Sequence, residues 1–585
     1  MKDPIIDKQL PLFIPHSSTS TEVNKTGSWR FFHPKYEEKT APCSVACPVG
    51  QDVPRIEMLA SRGQLKDAWQ TILNENPFPA ICGRVCFHPC ESACNRAGMD
   101  DPIAIHHLER FLGDAAIAGE STADIDSRPS TGKKVAIAGA GPAGLAAAYF
   151  LTRLGYGCDV FEAASKPGGL LRWGIPAYRL PRDILAHEIK RIENAGVRIH
   201  CESPVTEALL ESLKKEYDGL FIGCGYGRSR MMNIEGEEFA FDGLEFLNRL
   251  GVGEKISYFG TTAIVGGGNA AIDVARTLAR LGAAPLIVYR RRIQDMPAFE
   301  PEVAMAAREG VRIMELVTPI RIRETAGDPS SSTPGYELTL HKMKVHQKET
   351  SGRARVIPDG ESTETINVQN IFVAIGADAE SFWQCPDSEE TNSLVLSHCR
   401  FFDQKRPLIY GGDLTSPIKS VTDAIASGKQ AAMALDTYFE HGAEAIEKRL
   451  AGCRVGAGPV LSMDVYLEKD RKNRTAHTVS YDEIVTDYFQ PAARSVPSTL
   501  DADQRVRSFS EIVSTLDDAA ARDEAARCFN CGICAACDYC RLYCPEMAVM
   551  VEKSRRSINM DFCKGCGVCA TECPRNAMAL EEEIE

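Results

Sequence analysis

Two stretches of the chain repeat one hydrophobic signature. KKVAIAGAG, from Lys133 to Gly141, is an apolar run that ends in glycines, followed by PAGLAAAYFLTRLG, apolar along a helical face, and by the strand-like CDVFEA. Strand, glycine turn, helix and strand make a βαβ unit. The pattern returns at Thr262 as TAIVGGGNAAIDVARTLARLG and then PLIVYRRR. Upstream, IEMLASRGQLKDAWQTILNEN has apolar residues at helical spacing and predicts a helical region over 41–115. Residues 120–132 are a Ser/Thr/Gly/Asp linker. Residues 1 to about 40 are polar and irregular, and are expected to wrap a surface. Residues 455–525 are polar with a weak helical pattern and read as a connecting arm.

Composition narrows the class. The chain has 585 residues, 44% of them hydrophobic, with 46 Gly and 32 Pro, which supplies several packed cores and excludes a disordered tail or a fibre. The net charge of −14 disfavours non-specific nucleic-acid binding. The most apolar run, Val135 to Leu151, is broken by Gly139, Gly141, Pro142 and Gly144, so it reads as a nucleotide turn and not a membrane span. The first residues lack an apolar core and a small-residue cleavage site, and a cytoplasmic protein is expected.

Cysteine changes the picture most. Of 22 cysteines, six lie between Cys43 and Cys94 and ten between Cys528 and Cys573. Clustering at short spacing in a long chain without an export signal points to metal or iron–sulfur ligation in a reducing compartment. Cys534, Cys537, Cys540 and Cys544-Pro, then Cys563, Cys566, Cys569 and Cys573-Pro, write the bacterial two-cluster ferredoxin run twice. In that pattern the fourth cysteine of each run serves the other cluster, which predicts one [4Fe–4S] on Cys534, Cys537, Cys540 and Cys573 and one on Cys563, Cys566, Cys569 and Cys544. Cys528 and Cys531 extend the ladder upstream, as spare thiols or an alternative register; spacing does not choose. Cys43, Cys47, Cys82, Cys86, Cys90 and Cys94 make a further cluster, against buried free thiols. The spacing of four suits one helix stripe, which Pro89 interrupts.

Gly139, Gly141 and Gly144 form a GxGxxG turn, and Glu162 ends the next strand, where it can accept hydrogen bonds from ribose hydroxyls. Gly412-Asp413 closes a late apolar strand before a helix over 423–432. Paired with the first turn it suits the ribityl chain of FAD. Gly266, Gly268, Asn269 and Ala270 repeat the phosphate turn, but here the strand ends in Arg290, Arg291 and Arg292. Arginines pair with a 2′-phosphate and an acid would repel it, so NADP(H) is favoured over NAD(H). The competing reading of the arginines is a solvated face.

With its order of cysteine-rich helical region, GAGPAGL, GIPAYRLPR from Gly174 to Arg182, VGGGNAAIDVAR with VYRRR, and GGD before AIASGKQAA, the chain resembles the NADPH-dependent glutamate synthase small (beta) subunit family. Relatives of that family include the N-terminal half of dihydropyrimidine dehydrogenase and the large subunit of NADH-dependent ferredoxin:NADP oxidoreductase. The resemblance covers most of residues 40–445, and the ferredoxin module is an addition. It implies an α/β fold with two Rossmann-like domains, an N-terminal helical iron–sulfur domain and a C-terminal α+β ferredoxin-like domain. The expected divisions are 1–125, FAD at 130–255 with 365–450, NAD(P)H at 256–364, the arm at 451–525 and the ferredoxin at 526–585. Gly169, Leu170, Arg179 and Thr422 are implied as further FAD contacts. One N-terminal cluster is implied on Cys47, Cys86, Cys90 and Glu109. For Glu109 the alternative is a surface acid or a salt bridge with Arg110. A second cluster in the family uses an upstream CxxC with positions matching Cys43 and Cys94. No cysteine precedes Cys43, so one N-terminal cluster is expected rather than two.

The implied activity is electron transfer between NAD(P)H and a partner through FAD and clusters. The partner is expected to be a glutamate synthase large subunit, a 2-oxoacid oxidoreductase, another redox subunit or ferredoxin. Too few residues follow 445 for a catalytic barrel, so final chemistry is expected on another polypeptide. A glutamate synthase small subunit proper and a wiring subunit with an idle nicotinamide site are the alternatives. A disulfide reductase would need a CxxC or CxxxxC after Gly169 or Gly268, and neither is there.

Overall fold

The computed structural model describes residues 25–121, 126–325, 335–348, 354–386, 393–552 and 555–583. The first 24 residues, and with them most of the segment expected to wrap a surface, lie outside that set. The described part of that segment contains a strand, Phe32–Tyr36, paired antiparallel with Met578–Glu582 at the other end of the chain.

The first glycine unit stands in a seven-stranded sheet. Lys134–Ala138 lies inside it, parallel to Gly157–Phe161 on one side and Gly219–Ile222 on the other. Val135, Ile137, Val160 and Phe221 have no exposure, as strands covered by helices on both faces require. Leu408–Tyr410 joins this sheet beside Gly219–Ile222 and delivers Gly412 and Asp413 to the strand ends. The second unit is a five-stranded parallel sheet, with Thr261–Val265 between Ala284–Tyr289 and Asn370–Val373. Phe241–Asp242 forms its edge. This corrects the expected boundaries at 256 and 364, because strands on either side of them hydrogen-bond in the second sheet. The chain crosses between units where Arg228–Ser229 pairs with Ala377–Asp378. Within the second unit Val317–Thr325, Gly335–Lys348 and Ala354–Val368 form a separate antiparallel sheet.

The N-terminal unit is helical: Val53–Ser61, Leu65–Leu73, Pro79–Val85 and Ile105–Ala118. The last two pack with almost no gap. A Cβ on Gly83 would lie 2.4 Å from the Arg110 nitrogen, and one on Gly113 would lie 2.6 Å from the Ala80 nitrogen. This close approach brings the end of one helix, at Cys86, to Glu109 on the other.

Residues 451–525 are more than a tether. Ser462 and Arg471 bond the carboxylate of buried Glu75, which also takes Lys429 of the helix Val421–His441 at 2.6 Å. Arg474 pairs with Asp52 at 2.6 Å and with Glu38 at 2.9 Å. One carboxylate thus joins the helical unit, the first dinucleotide unit and the arm.

Candidate functional site

Both glycine turns open on one cavity of about 1180 Å³. From the first unit its wall carries Gly139, Gly141, Glu162, Gly169, Leu170, Arg179, Gly412 and Asp413; from the second it carries Gly266, Gly268, Asn269, Ala270, Arg290 and Arg291. Gly141 and Gly268 each stand just before a helix, Pro142–Arg153 and Asn269–Arg280. A Cβ at Gly141 would meet nothing nearer than 4.0 Å, and one at Gly268 nothing within 4 Å. The two helix N-termini, with their unpaired N–H groups and positive dipole ends, therefore face open space that fits phosphates. The Glu162 carboxylate accepts N–H bonds from Ala140 and Ala164, both 2.8 Å, which hold it on the wall with lone pairs to spare for ribose. Burial pushes the Asp413 carboxyl above its ordinary range.

The arginines have separate fates. Arg290 is exposed on the wall and, among the described residues, makes no hydrogen bond or ion pair. Arg291 donates to the Ala354 carbonyl at 3.1 Å. Arg292 lies off the wall and forks onto Asp295 at 2.7 and 3.1 Å. Arg179 is on the wall but buried, bonding both Asp273 oxygens at 2.9 and 2.8 Å, and so ties the first unit to the second. Gly144 lies behind the turn, where a Cβ would strike the Gly139 carbonyl at 1.9 Å.

Beside this cavity is a smaller one lined by Cys47, Cys86, Cys90, His106, Glu109 and Thr422. Thr422 thus stands at the thiols and not on the dinucleotide wall. The same two segments line both spaces. Val85 and Phe87 face the larger and Cys86 the smaller; Val421 and Ala424 face the larger and Thr422 the smaller. Glu109 is neither a surface acid nor a partner of Arg110. It is buried, and Oε1 accepts from Gln51 at 2.6 Å and Asn76 at 2.8 Å, while burial pushes its carboxyl up to about 8. Arg110 pairs with Asp114 and Glu511. The cysteines do not form one stripe, because the chain turns at His88, φ 38°, before Pro89 starts a new helix. Cys86 Sγ accepts the His88 N–H at 3.2 Å, and Cys82 Sγ, outside the cavity, faces Asn76 Oδ1 at 3.8 Å. Three thiols and a carboxyl lining one small cavity suit a [4Fe–4S] cluster.

In the C-terminal module the thiols sort into two abutting sets. Burial raises the Cys540 thiol, and its neighbours Cys534, Cys537 and Cys573 raise it further. Burial pushes Cys569 up to about 12, with contributions from Cys563, Cys544, Cys540 and Cys566. Cys544 and Cys573 accept backbone N–H bonds from Ala548 and Ala577, each 3.3 Å, as thiolates in cluster loops do.

Residues 36–121 match the family model described as dihydropyrimidine dehydrogenase domain II, 4Fe-4S cluster. Residues 133–380 match pyridine nucleotide-disulphide oxidoreductase, and 556–579 match a 4Fe-4S binding domain. The NADP(+)-dependent formate dehydrogenase subunit beta of Moorella thermoacetica is 31% identical over 84% of this chain and 70% of its own length. The NADPH-Fe(3+) oxidoreductase subunit beta of Geobacter sulfurreducens is 35% identical over 62% of this chain, which spans only 54% of that relative. The glutamate synthase [NADPH] small chain of Escherichia coli is 30% identical over 68% of this chain and 88% of its own. The chain belongs to the glutamate synthase small-chain family. It is an NAD(P)H-dependent FAD and iron–sulfur oxidoreductase of that family, with both 4Fe-4S regions present. Although one matched model carries a disulphide name, Cys224 is the one cysteine on the dinucleotide wall among the described residues.

Sequence reasoning missed part of this wall: Val85, Phe87, Gly223 to Tyr226, and Lys419. For Gly223 to Tyr226 a signal was present. FIGCGYG, from Phe221 to Gly227, is an apolar strand ending in glycines, the same grammar as the two recognised turns.

Proposed function

We propose that this chain takes electron pairs, as hydride, from NADPH and passes electrons singly to a redox partner. The observation that carries the reading is the single cavity with two phosphate turns, beside a thiol cavity lined by residues of the same segments. When bound, FAD accepts one hydride, an electron pair, and can release electrons one at a time, and [4Fe–4S] clusters carry one electron each.

The chain's own residues supply position. Gly139, Gly141 and the helix behind them hold the FAD pyrophosphate, Glu162 its ribose, and Gly412 and Asp413 its ribityl end. Gly266, Gly268 and Asn269 hold the nicotinamide dinucleotide's pyrophosphate. Arg290, unpaired and exposed, meets the 2′-phosphate, which favours NADPH over NADH. Arg179, neutralised by Asp273, holds the two units at a set separation and does not pair with phosphate. Cys47, Cys86, Cys90 and Glu109 hold the first cluster, and the two C-terminal thiol sets hold two more. The partner proposed is another redox subunit or ferredoxin; among the described residues no helix is long and apolar enough to cross a membrane.

The test is NADPH-driven reduction of a one-electron viologen dye by the anaerobically purified chain, with NADH as comparison. Turnover with NADPH at the lower KM supports the reading. No turnover with either nucleotide, in a sample that holds flavin and iron, refutes it.

A further inference from the structure

A pair of cysteines from the far end of the chain stands among the N-terminal thiols. Cys528 and Cys531 follow the helix Asp518–Ala526, and the loop carrying them is fastened to the N-terminal unit on both sides. Before it, Arg96 donates to the Arg527 carbonyl at 2.8 Å; after it, the Lys39 N–H donates to the Gly532 carbonyl at 2.8 Å. Between the two cysteines, Asn530 adopts φ 51°, and its side chain donates to the Pro54 carbonyl at 3.0 Å. That turn brings the Asn530 N–H to Cys528 Sγ at 3.3 Å, the same arrangement as at Cys86. Cys531 Sγ accepts from the Asn95 side chain, next to Cys94, at 3.5 Å.

Burial raises the Cys43 thiol, and the next contributions come from Cys94, Cys531 and Cys528. Cys531 is raised to about 12 by burial, and Cys94 adds to this. Glu57 lies among them, and its Oε2 is buried with no hydrogen-bond partner among the described residues. Zinc holds thiolates at about 2.3 Å in a tetrahedron, with sulfurs about 3.8 Å apart. Among the described residues no three thiols all lie within 4.8 Å of one another, which a single ion would need, whereas a cubane gives each ligand its own iron.

We propose that Cys43, Cys94, Cys528 and Cys531 hold a fourth [4Fe–4S] cluster, with half of its ligands supplied by the loop that opens the C-terminal module. The site replaces the upstream CxxC that this sequence lacks with a pair from the opposite end. It lies between the Cys47–Cys86–Cys90 cavity, since Cys43 is an electrostatic neighbour of Cys90, and the ferredoxin run that starts three residues after Cys531. The cluster therefore staples the ferredoxin module to the helical unit. The inference rests on the electron-transfer reading above.

Iron and acid-labile sulfide, counted per flavin in the anaerobically reconstituted full chain, test it. Wild type should hold about sixteen irons, four for each of four cubanes. Cys528→Ser with Cys531→Ser should lose about four irons and keep FAD. Cys43→Ser should lose the same four, the triple variant no more, and Cys82→Ala none. Unchanged iron in the double variant overturns the proposal. Should the double variant fail to retain flavin, the wild-type count still decides, because about twelve irons means three clusters and not four. A wild type with no more than about four irons would instead sink the wider reading and not this site alone.

Discussion

Arg290 and Arg292 are two positions apart and chemically identical, yet only one is free. Arg292 is committed to Asp295, whereas Arg290 stands exposed on the cavity wall. Hydrogen bonds to charged groups contribute about 1.5–3 kcal/mol, so Arg290→Ala should raise the KM for NADPH at least about tenfold and leave that for NADH unchanged. Arg292→Ala should alter neither by more than about twofold. Equal effects of Arg290→Ala on both nucleotides would remove the 2′-phosphate assignment. Gly268 offers a complementary test. Its Cβ position is empty, so Gly268→Ala should cost less than about 1 kcal/mol of stability in denaturant titration. The added methyl would project into the phosphate cradle and weaken NADPH binding, while FAD stays bound. At this scale the glycines and Glu162 are legible in sequence because a phosphate turn is local grammar. The fate of Arg292 is not, nor the position of Thr422 or the burial of Glu109, because each depends on which other element lies against it.

At the scale of elements, the helices Pro79–Val85 and Ile105–Ala118 meet through Gly83 and Gly113, and this contact brings Glu109 to the thiols. The βαβ units are legible from their apolar runs. The division between them is not, since strands such as Phe241–Asp242 and Asn370–Val373 choose their sheet by tertiary pairing. The arm's role is likewise hidden, because a polar segment with weak periodicity gives no sign that Arg471 and Ser462 enter a buried network. Glu75→Gln would leave Lys429 and Arg471 buried without their carboxylate, and breaking such a pair costs about 3–5 kcal/mol. The chemical denaturation midpoint, read by flavin release, should fall accordingly; an unchanged midpoint would mean that the network is not a structural joint.

At the scale of the whole molecule, the two ends of the chain meet. Phe32–Tyr36 pairs with Met578–Glu582, and the Tyr36 hydroxyl lies 3.3 Å from Cys540 Sγ. The ferredoxin module is thus built on the N-terminal segment as well as on the arm, whose Glu483 accepts from Asn576 at 2.9 Å. Its cysteine run is legible in sequence to the residue, but its docking is not, since pairing across the length of the chain leaves no local trace. Cys566→Ala should remove about four irons and the matching reduced-cluster EPR signal, with FAD retained. Unchanged iron would break the proposed ligand set.

The central claim is that this one chain splits electron pairs into single electrons. Anaerobic titration of the purified chain with NADPH, followed by optical absorption and low-temperature EPR with no partner added, tests it most directly. The account predicts that the flavin band bleaches and reduced-cluster signals grow in the same titration. A flavin band unmoved by NADPH or NADH, or one that bleaches while clusters reducible by dithionite stay silent, would contradict it.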